Sequence, residues 1–379
     1  MKKLIALASL FFLPALASSV TQNEVQRDAR SKEELKAARM IQKFYANAVI
    51  VDMLIPGSPQ SYVDPTIKGF EETAAMSIDW GFNYVSYSCC ADQWIDPTIV
   101  ISKIAKGRKH WLAHPDKYVL IDTSKDILQA KQDGKLAVSF NFQGSNALGR
   151  NLDMIEVYYK LGVRQIGLTY DELNFMAEGS NVDPKRDTGL SSLGKRMVAE
   201  MNRVGMIIDC SHASDQAAID VAAISKKPIV MSHSLPKGFY NIQRNASDEA
   251  IKAVAETGGV IAISGIGGFL SEGARDISPQ MIADHANYLK LLVGAEHVAF
   301  ASDFVRDLKA AMVLEAGSED AWPDYIGYGK ELPVVAVPGT IWGIVRFLEE
   351  EYDWTYEEIR GILGENALRV YRANWNTDE

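Results

Sequence analysis

The sequence predicts an α/β protein of the (β/α)8 TIM-type barrel class. Two observations lead to this prediction. Eight short runs of apolar and β-branched residues recur along the chain, and most of the gaps between them have helical periodicity with capping residues at their ends. Short buried strands that alternate with helices form parallel sheets. Eight such strands are the number that closes this kind of barrel.

The elements can be assigned in order from these patterns. The eight predicted strands are residues 48–52, 83–89, 136–143, 164–170, 206–212, 228–234, 260–266 and 298–304. Helices are predicted at 32–45, 125–134, 152–162, 191–205, 214–225 and 247–258, followed by two near the C-terminus at about 340–352 and 355–371. Several begin at serine and end at glycine, as capped helices do. Residues 40–379 are therefore predicted to form a single barrel domain with C-terminal helices.

The start of the chain has the features of a secretory signal peptide. Lys2 and Lys3 precede an apolar segment, and Ala15-Leu16-Ala17 has the small-x-small pattern of a cleavage site. Residues 1–17 are therefore predicted to be removed on export. Residues 18–39 are predicted to form a mobile lead-in and the start of the first helix. The mature protein is expected to be periplasmic or secreted.

The composition argues against several classes of protein. A formal net charge of −10 over 379 residues does not suit a nucleic-acid-binding surface, which is usually basic. No apolar run after the signal peptide approaches the roughly 18 residues of a membrane-spanning helix. The cysteines, Cys89, Cys90 and Cys210, are odd in number and two are adjacent, so they do not form a disulfide framework.

Polar residues that can bind ligands follow most of the predicted strands. In a parallel barrel the carboxyl ends of the strands meet at one face, where the active site lies. Two of these strands, consecutive in the chain, end at His212 and His233, so two imidazoles are expected side by side, which indicates a metal site. Structural roles remain open as well: buried histidines, a helix-capping Asp303 and a surface ion pair for Arg244. The strand-end residues are Asp52 to Leu54, Cys89 with Cys90, Gln143, Tyr170, His212, His233, Ile266 and Asp303.

Several segments resemble the renal or membrane dipeptidase family, a zinc-dependent branch of the amidohydrolase superfamily. They are LGVRQIGLTY, DTGLSSLGKRMVAEMNRVGMIIDCSHAS, KKPIVMSHS with the following QRN, GGVIAIS, EHVAFASDF and GENALRVYRA. The resemblance covers roughly residues 40–375. It implies a secreted metal-dependent hydrolase that cleaves a dipeptide or another small amide bearing a carboxylate. It also implies a homodimer.

The resemblance implies roles for individual residues. In the family, a His-x-Asp pair on the first strand holds one metal ion, a glutamate on the third strand bridges two ions, and two histidines hold the second ion. His212 and His233 match those two histidines. Asp303 matches an aspartate that transfers protons, and Arg244 matches an arginine that binds the substrate's carboxylate. Tyr170 takes the place of a histidine that contacts the substrate.

The chain departs from the family pattern at the first metal ion. The His-x-Asp positions are occupied by Leu54 and Pro56, and Gln143 replaces the bridging glutamate. Leucine and proline side chains cannot ligate a metal, and an amide oxygen is a weak, neutral ligand. A binuclear zinc centre is therefore not expected.

Two functions remain open. The first is a dipeptidase-like hydrolase with one zinc ion on the two histidines. The second is a family member that has lost the binuclear centre and is not a peptidase or not a catalyst, such as a periplasmic maturation factor or a small-molecule binder. In the first case the third zinc ligand would be Gln143, Asp303, Cys89 or Cys90.

Two further segments have less specific patterns. Residues 316–333 are aromatic and proline-bearing and are predicted to be a surface loop or a lid over the site. His110 and His114 lie in GRKHWLAHPDKY, which is predicted to be a surface segment between a helix and a loop. Neither histidine is expected to be a ligand.

Overall fold

Eight parallel strands form a nearly closed barrel, which confirms the predicted fold class. The computed structural model describes residues 32–56, 68–92, 96–272, 277–304 and 335–375. The predicted signal peptide and the loop at 316–333 lie outside these residues. None of the described helices has the length and apolar character needed to cross a membrane.

The strands follow one another around the barrel in the order β1-β2-β4-β5-β6-β7-β8-β9. They are β1 Val51–Ile55, β2 Tyr84–Cys90, β3 Tyr118–Leu120, β4 Leu136–Phe142, β5 Val163–Gly167, β6 Ile207–Asp209, β7 Val230–Met231, β8 Val260–Ile263 and β9 Val298–Phe300. The short strand β3 has no counterpart among the predictions. It pairs with the first half of β4, whereas β5 pairs with the second half. The eight barrel strands are buried along their whole length, as expected for a parallel sheet covered by helices.

The first strand lies later in the chain than predicted. Its pairing with β2 begins at Val51, opposite Tyr84, and continues to Ile55. The prediction of residues 48–52 was wrong because residues 48–50 are apolar and buried like the strand itself, although they precede it. As a result, Leu54 lies within β1 and Pro56 directly follows it. The other seven predicted strands are present. Of these, β2 is shifted by one residue to Tyr84–Cys90, β5 begins one residue earlier than predicted, and each of the seven except β2 is shorter than predicted.

Side chains and backbone at the ends of β1 and β9 close the barrel. The backbone N–H of Ser302 donates to Oδ1 of Asp52 at 2.9 Å, and the N–H of Asp303 donates to the carbonyl oxygen of Leu54 at 3.2 Å. Asp52 is fully buried. Its carboxyl group therefore takes the place of a ladder hydrogen bond where the first and last strands meet.

Helices flank the barrel strands, and every predicted helix is present. They are α1 Lys32–Phe44, α2 Lys68–Asp79, α3 Pro97–Ala113, α4 Ser124–Gln132, α5 Met154–Lys160, α6 Ser192–Val204, α7 Asp215–Ile224, α8 Asp248–Glu256, α9 Gly267–Leu270, α10 Pro279–Val293, α11 Ile341–Glu350, α12 Tyr356–Arg360 and α13 Asn366–Asn374. Ser191 caps α6 by accepting from the N–H of Gly194, and Gly205 ends it with a φ of 90°. A π-helical turn at Gly361–Glu365 separates α12 from α13, which together were predicted as one helix.

Four of these helices, α2, α3, α9 and α10, were not predicted. In α3 the run TIVISKI is rich in β-branched residues, which favour strands when considered locally. The helical signal lies at its start, where Asp96 accepts from the N–H of Thr98 at 2.8 Å and Pro97 occupies the first turn.

Candidate active site

Five strand ends bring the predicted site residues to one rim of the barrel. Gln143 follows β4, Tyr170 follows β5, His212 follows β6, His233 follows β7 and Asp303 follows β9. Tyr170 is half-buried, and the other four side chains are buried. The convergence expected of a parallel barrel is therefore present.

The two histidines face each other across a small space. Nε2 of His233 lies 2.8 Å from Nε2 of His212, and Oε1 of Gln143 lies 3.1 Å from the same His212 atom. Tyr170 stacks on the His212 ring with ring centroids 4.0 Å apart. Two ring nitrogens and one amide oxygen thus form a set of three donor atoms.

Hydrogen bonds behind the rings determine which nitrogens carry protons. Nδ1 of His212 lies 2.9 Å from the carboxylate of Asp171, which can only accept, so this nitrogen is protonated. Nδ1 of His233 lies 2.8 Å from the Ser232 hydroxyl. That hydroxyl donates its own proton to Asp209, so its oxygen accepts the proton of His233 Nδ1. In the neutral rings the two Nε2 atoms are therefore the unprotonated ones.

The protein keeps both rings neutral. Burial, reinforced by the charge of Arg244, lowers the pKa of His212 and lowers that of His233 well below its usual range. Two unprotonated nitrogens that face each other across 2.8 Å repel. A cation between them would remove this repulsion. An Nδ1–H bound to a carboxylate or another oxygen is also the usual arrangement behind a metal-binding imidazole.

Asp209 holds the two histidine loops together. It ends β6, and its Oδ1 accepts from the backbone N–H groups of Ser211 and Ser232, each at 3.0 Å. Ser211 precedes His212, and Ser232 precedes His233. One buried carboxylate thus fixes the position of both imidazoles.

Asp171 and Arg244 form a buried ion pair beside His212. Oδ1 of Asp171 lies 3.7 Å from Nε of Arg244 and accepts from the Ser180 hydroxyl at 2.6 Å. Burial opposes ionisation of Asp171, but His212 and Arg244 together hold its pKa below the usual range. The two terminal nitrogens of Arg244 donate to main-chain carbonyl oxygens, whereas its Nε has no hydrogen-bond partner.

Asp303 lies on the same rim and makes no described hydrogen bond to either imidazole. Its Oδ2 accepts from the Ser264 hydroxyl at 3.3 Å. Burial raises the pKa of Asp303 to about 6, although Arg244 and Ser264 act to lower it. A carboxyl group with a pKa near neutrality is suited to accept and release a proton at physiological pH.

The donor atoms described at this rim lie around the two histidines. Leu54 and Pro56, which match the first-ion positions of the resembled family, are buried and have no side-chain donor atom. Within the described part of the chain, no histidine, cysteine or carboxylate completes a set of three with His212 and His233. Gln143 supplies the third donor through its amide oxygen.

The other proposed third ligands do not join the histidines. The thiols of Cys89 and Cys90 point to main-chain carbonyl oxygens, 3.6 and 3.4 Å away. Burial raises the pKa of Cys89 to about 12 and raises the pKa of Cys90 well above its usual range, so neither is a thiolate at neutral pH. Asp303 also lies outside any described group of metal-ligating atoms with the histidines.

Three aspartates that organise the rim, two of them buried and one half-buried, are absent from the sequence-based predictions. Asp171 directly follows Tyr170, and Asp209 lies inside an apolar run, so a charged residue where burial is expected could have revealed them. Asp92 carries no such signal. It accepts from the N–H of Tyr170 and from the Asn174 side chain, both at 2.9 Å and both far away in the sequence.

Comparisons with known proteins show which family of sequences the chain resembles. The sequence profile of the membrane dipeptidase family, peptidase family M19, matches residues 88–320. The chain is 28% identical over 259 residues to dipeptidase tcpJ of Claviceps purpurea (strain 20.1), a match that covers 68% of this chain and 56% of that protein. It is 32% identical over 209 residues to dipeptidase verJ of Clonostachys rogersoniana, covering 55% and 52%. The chain thus spans about half the length of the curated relatives it matches.

Solved structures show the same fold. An amidohydrolase from Pseudomonas aeruginosa is 26% identical with a TM-score of 0.75, and the match covers 88% of this chain and 99% of that one. The probable dipeptidase PvdM from the same organism is 19% identical, with a TM-score of 0.69 and coverages of 90% and 99%. A Rhodobacter sphaeroides metallopeptidase, liganded with a phosphinate mimic of the dipeptide L-Ala-D-Ala, is 17% identical, with a TM-score of 0.68 and coverages of 86% and 99%.

Proposed function

We propose, because this chain belongs to the membrane dipeptidase family (peptidase family M19), that it is a metal-dependent hydrolase. Its substrate would be a dipeptide or another small amide that bears a carboxylate. One observation carries the proposal: two buried imidazoles present unprotonated Nε2 atoms to each other at 2.8 Å. An amide oxygen stands 3.1 Å from one of them. This arrangement suits a divalent cation better than it suits a structural contact.

The metal would be one zinc ion held by His212, His233 and Gln143. Zinc accepts imidazole nitrogen and oxygen ligands. When bound, such an ion polarises the amide carbonyl and makes a water molecule more acidic. Asp171 and the Ser232 hydroxyl hold the Nδ1 protons, so the Nε2 lone pairs stay directed at the ion.

The remaining groups of the rim would bind the substrate and move protons. Asp303 would accept a proton from the attacking water and return it to the leaving amine. Arg244 would bind the substrate's carboxylate through its Nε–H and through the N–H bonds of its terminal nitrogens that do not donate to main-chain carbonyl oxygens. Tyr170, half-buried over the His212 ring, would contact the substrate at the open side of the site.

The purified protein is expected to hydrolyse members of a dipeptide panel after removal of bound metal and addition of zinc. The double variant His212→Gln/His233→Gln should lose both zinc from this site and activity. His297→Gln is the matched control, because His297 binds the main-chain carbonyl of Gly259 and lies outside the rim. Absence of turnover with zinc, manganese and cobalt would contradict the hydrolase proposal.

Asp303→Asn is expected to lower kcat/KM by about 10²- to 10⁴-fold, the usual contribution of a positioned acid-base group. In the wild type, kcat/KM should rise with pH through about 6, because the base must be ionised and burial raises its pKa to that value. Asparagine suits the left-handed backbone at this position, where φ is 50°. Unchanged activity with an unchanged pH profile would remove Asp303 from the mechanism.

One observation favours the second function, a family member that is not a peptidase. Nη2 of Arg244 lies 3.4 Å from Nε2 of His212. The lone pair of this Nε2 can therefore accept a hydrogen bond from Arg244, without a metal ion. The loss of ligands at Leu54 and Pro56 points the same way. A non-catalytic binder would retain the barrel and would show no turnover with any of the three metals.

The location and assembly of the protein are part of the same proposal. Residues 1–17 would direct export to the periplasm or the medium, and the mature chain would form a homodimer as its family resemblance implies. The N-terminal sequence and the molar mass of the exported protein check both statements. A mature protein that retains Lys2 and Lys3 would contradict cleavage.

A further inference from the structure

Three side chains with metal-ligating atoms come together away from the candidate active site. They are Glu71 in the first turn of α2, His110 in the last turn of α3 and His114, which caps that helix. One ligand atom from each lies within 4.8 Å of the others. The ring of His110 is 5.8 Å from that of Tyr118, which pairs with the first residue of β4. The group is therefore near the amino end of the barrel strands, opposite the rim that carries Gln143.

His110 is a buried polar side chain whose ring nitrogens have no hydrogen-bond partner among the described residues. The prediction that it lies on the surface was wrong, because only 5% of the residue is exposed. A buried imidazole that makes no hydrogen bond is costly, since burial removes its bonds to water. A ligand in the space between the three side chains would satisfy it.

His114 is prepared to act as a ligand. Its Nδ1 lies 2.8 Å from the main-chain carbonyl oxygen of His110, which can only accept, so Nδ1 carries the proton and Nε2 keeps its lone pair. The two histidines are four residues apart, a spacing that places both on one face of a helix. They also lie at the C-terminal end of the 17-residue helix α3, where the helix dipole favours a cation.

We propose that Glu71, His110 and His114 form a second cation site that binds one zinc-class divalent ion and links α2 to α3. Two imidazole nitrogens and one carboxylate oxygen select zinc and its neighbours over magnesium and calcium, which prefer oxygen ligands. Glu71 is exposed, so water would complete the coordination from the solvent side. The role of such an ion is structural, because it would fasten two helices that follow successive barrel strands.

The proposal is tested with zinc alone, by competition against a chromophoric chelator, on the metal-free full chain. The background is His212→Gln/His233→Gln, in which the rim site is removed. This protein should still bind one equivalent of zinc, and zinc should raise its Tm. Adding Glu71→Gln and His114→Gln should weaken that binding by at least about 10- to 100-fold, the usual cost of losing even an outer partner of a metal ligand.

The two substituted positions lie outside the core, so a loss of zinc binding can be distinguished from a loss of folding. Glu71 is exposed and His114 is half-buried, so both substitutions leave the buried His110 and the core in place. His297→Gln, in the same background, is the matched control and should bind zinc like its parent. Equal zinc affinity with and without Glu71→Gln/His114→Gln overturns the proposal, and so does a rim-deleted parent that binds no zinc. Because the readout is binding and Tm, the result does not depend on whether the rim is catalytic.

Discussion

Asp171→Asn is expected to lower the free energy of unfolding by about 3 to 5 kcal/mol, the usual cost of removing one partner from a buried ion pair. Arg244 is only 2% exposed, and Asp171 is the only acidic side chain within ion-pair distance of it in the described chain. The substitution removes the one described carboxylate within ion-pair distance of the buried guanidinium charge, and only longer-range interactions such as that with Asp303 remain. It also deprives His212 of the carboxylate that holds its Nδ1 proton.

Asparagine isolates the loss of charge from other effects. It has the same shape as aspartate and tolerates the left-handed backbone at this position, where φ is 57°. Urea unfolding followed by circular dichroism measures the change. Ser180→Ala, which removes a neutral donor to the same carboxylate, is the control and should cost about 1 kcal/mol.

A double-mutant cycle identifies the cause. If the uncompensated charge of Arg244 causes the loss, Asp171→Asn combined with Arg244→Gln should be less destabilising than the sum of the single changes. A loss below about 1 kcal/mol for Asp171→Asn would show that the guanidinium finds other compensation. Additive effects in the cycle would show that the pair is not energetically coupled.

Asp52→Asn is expected to change how stability depends on pH. Burial raises the pKa of Asp52 from 3.8 to about 7, against the opposing hydrogen bonds from Ser302 and Leu54. A raised pKa means that the folded state binds the proton more tightly than the unfolded state does. The resulting stabilisation is complete below pH 3.8 and is lost as pH rises to about 7.

The size of the change in the free energy of unfolding follows from the shift in the pKa of Asp52. At about 1.4 kcal/mol for each unit of pKa, the wild type should lose about 3 kcal/mol relative to Asp52→Asn between pH 4 and pH 7. The amide Oδ1 can still accept from the N–H groups of Ser302 and Leu54. Its NH2 group replaces Oδ2, which has no hydrogen-bond partner, so a constant offset between the two proteins is also expected.

Urea unfolding of the wild type and of Asp52→Asn, measured at every half unit of pH, checks how the free energy of unfolding depends on pH. Asp303, Tyr87 and Tyr371 are the titratable groups whose electrostatic coupling to Asp52 is described. Burial raises the pKa of Asp303 to about 6, and because Asp303 is present in both proteins, most of its contribution is expected to cancel in the difference. Parallel stability curves for wild type and variant from pH 4 to 7 would show that Asp52 stays ionised in the folded protein.

Much of the candidate site could be predicted because its residues lie next to strand ends. The apolar runs before His212 and His233 predict two strands, and a parallel barrel places the residues after such strands on one rim. The same argument places Gln143, Tyr170 and Asp303. The side chain that lies closest to the two imidazoles could not be chosen in this way. Only distances between atoms of different loops distinguish Gln143 from Asp303 and the cysteines.

Local sequence patterns did not predict all helix and strand boundaries correctly. Residues 48–50 are as apolar as β1 and are buried by neighbouring elements, so the pattern alone could not exclude them from the strand. In α3, β-branched residues favour a strand locally, and tertiary packing overrides that preference. The contacts that decide such cases join residues far apart in the chain.

The sequence by itself determined the barrel and which residues follow its strands, because these follow from periodicity. The family resemblance added the expectation that Leu54 and Pro56 take the places of two metal ligands. Only the tertiary structure decided how buried charges are compensated. Asp52 accepts from Ser302, 250 residues later in the chain, Asp171 pairs with Arg244, and His110 lies buried beside Glu71. The physical reason is that burial and electrostatic pairing depend on which distant segments pack together, and no local pattern records that.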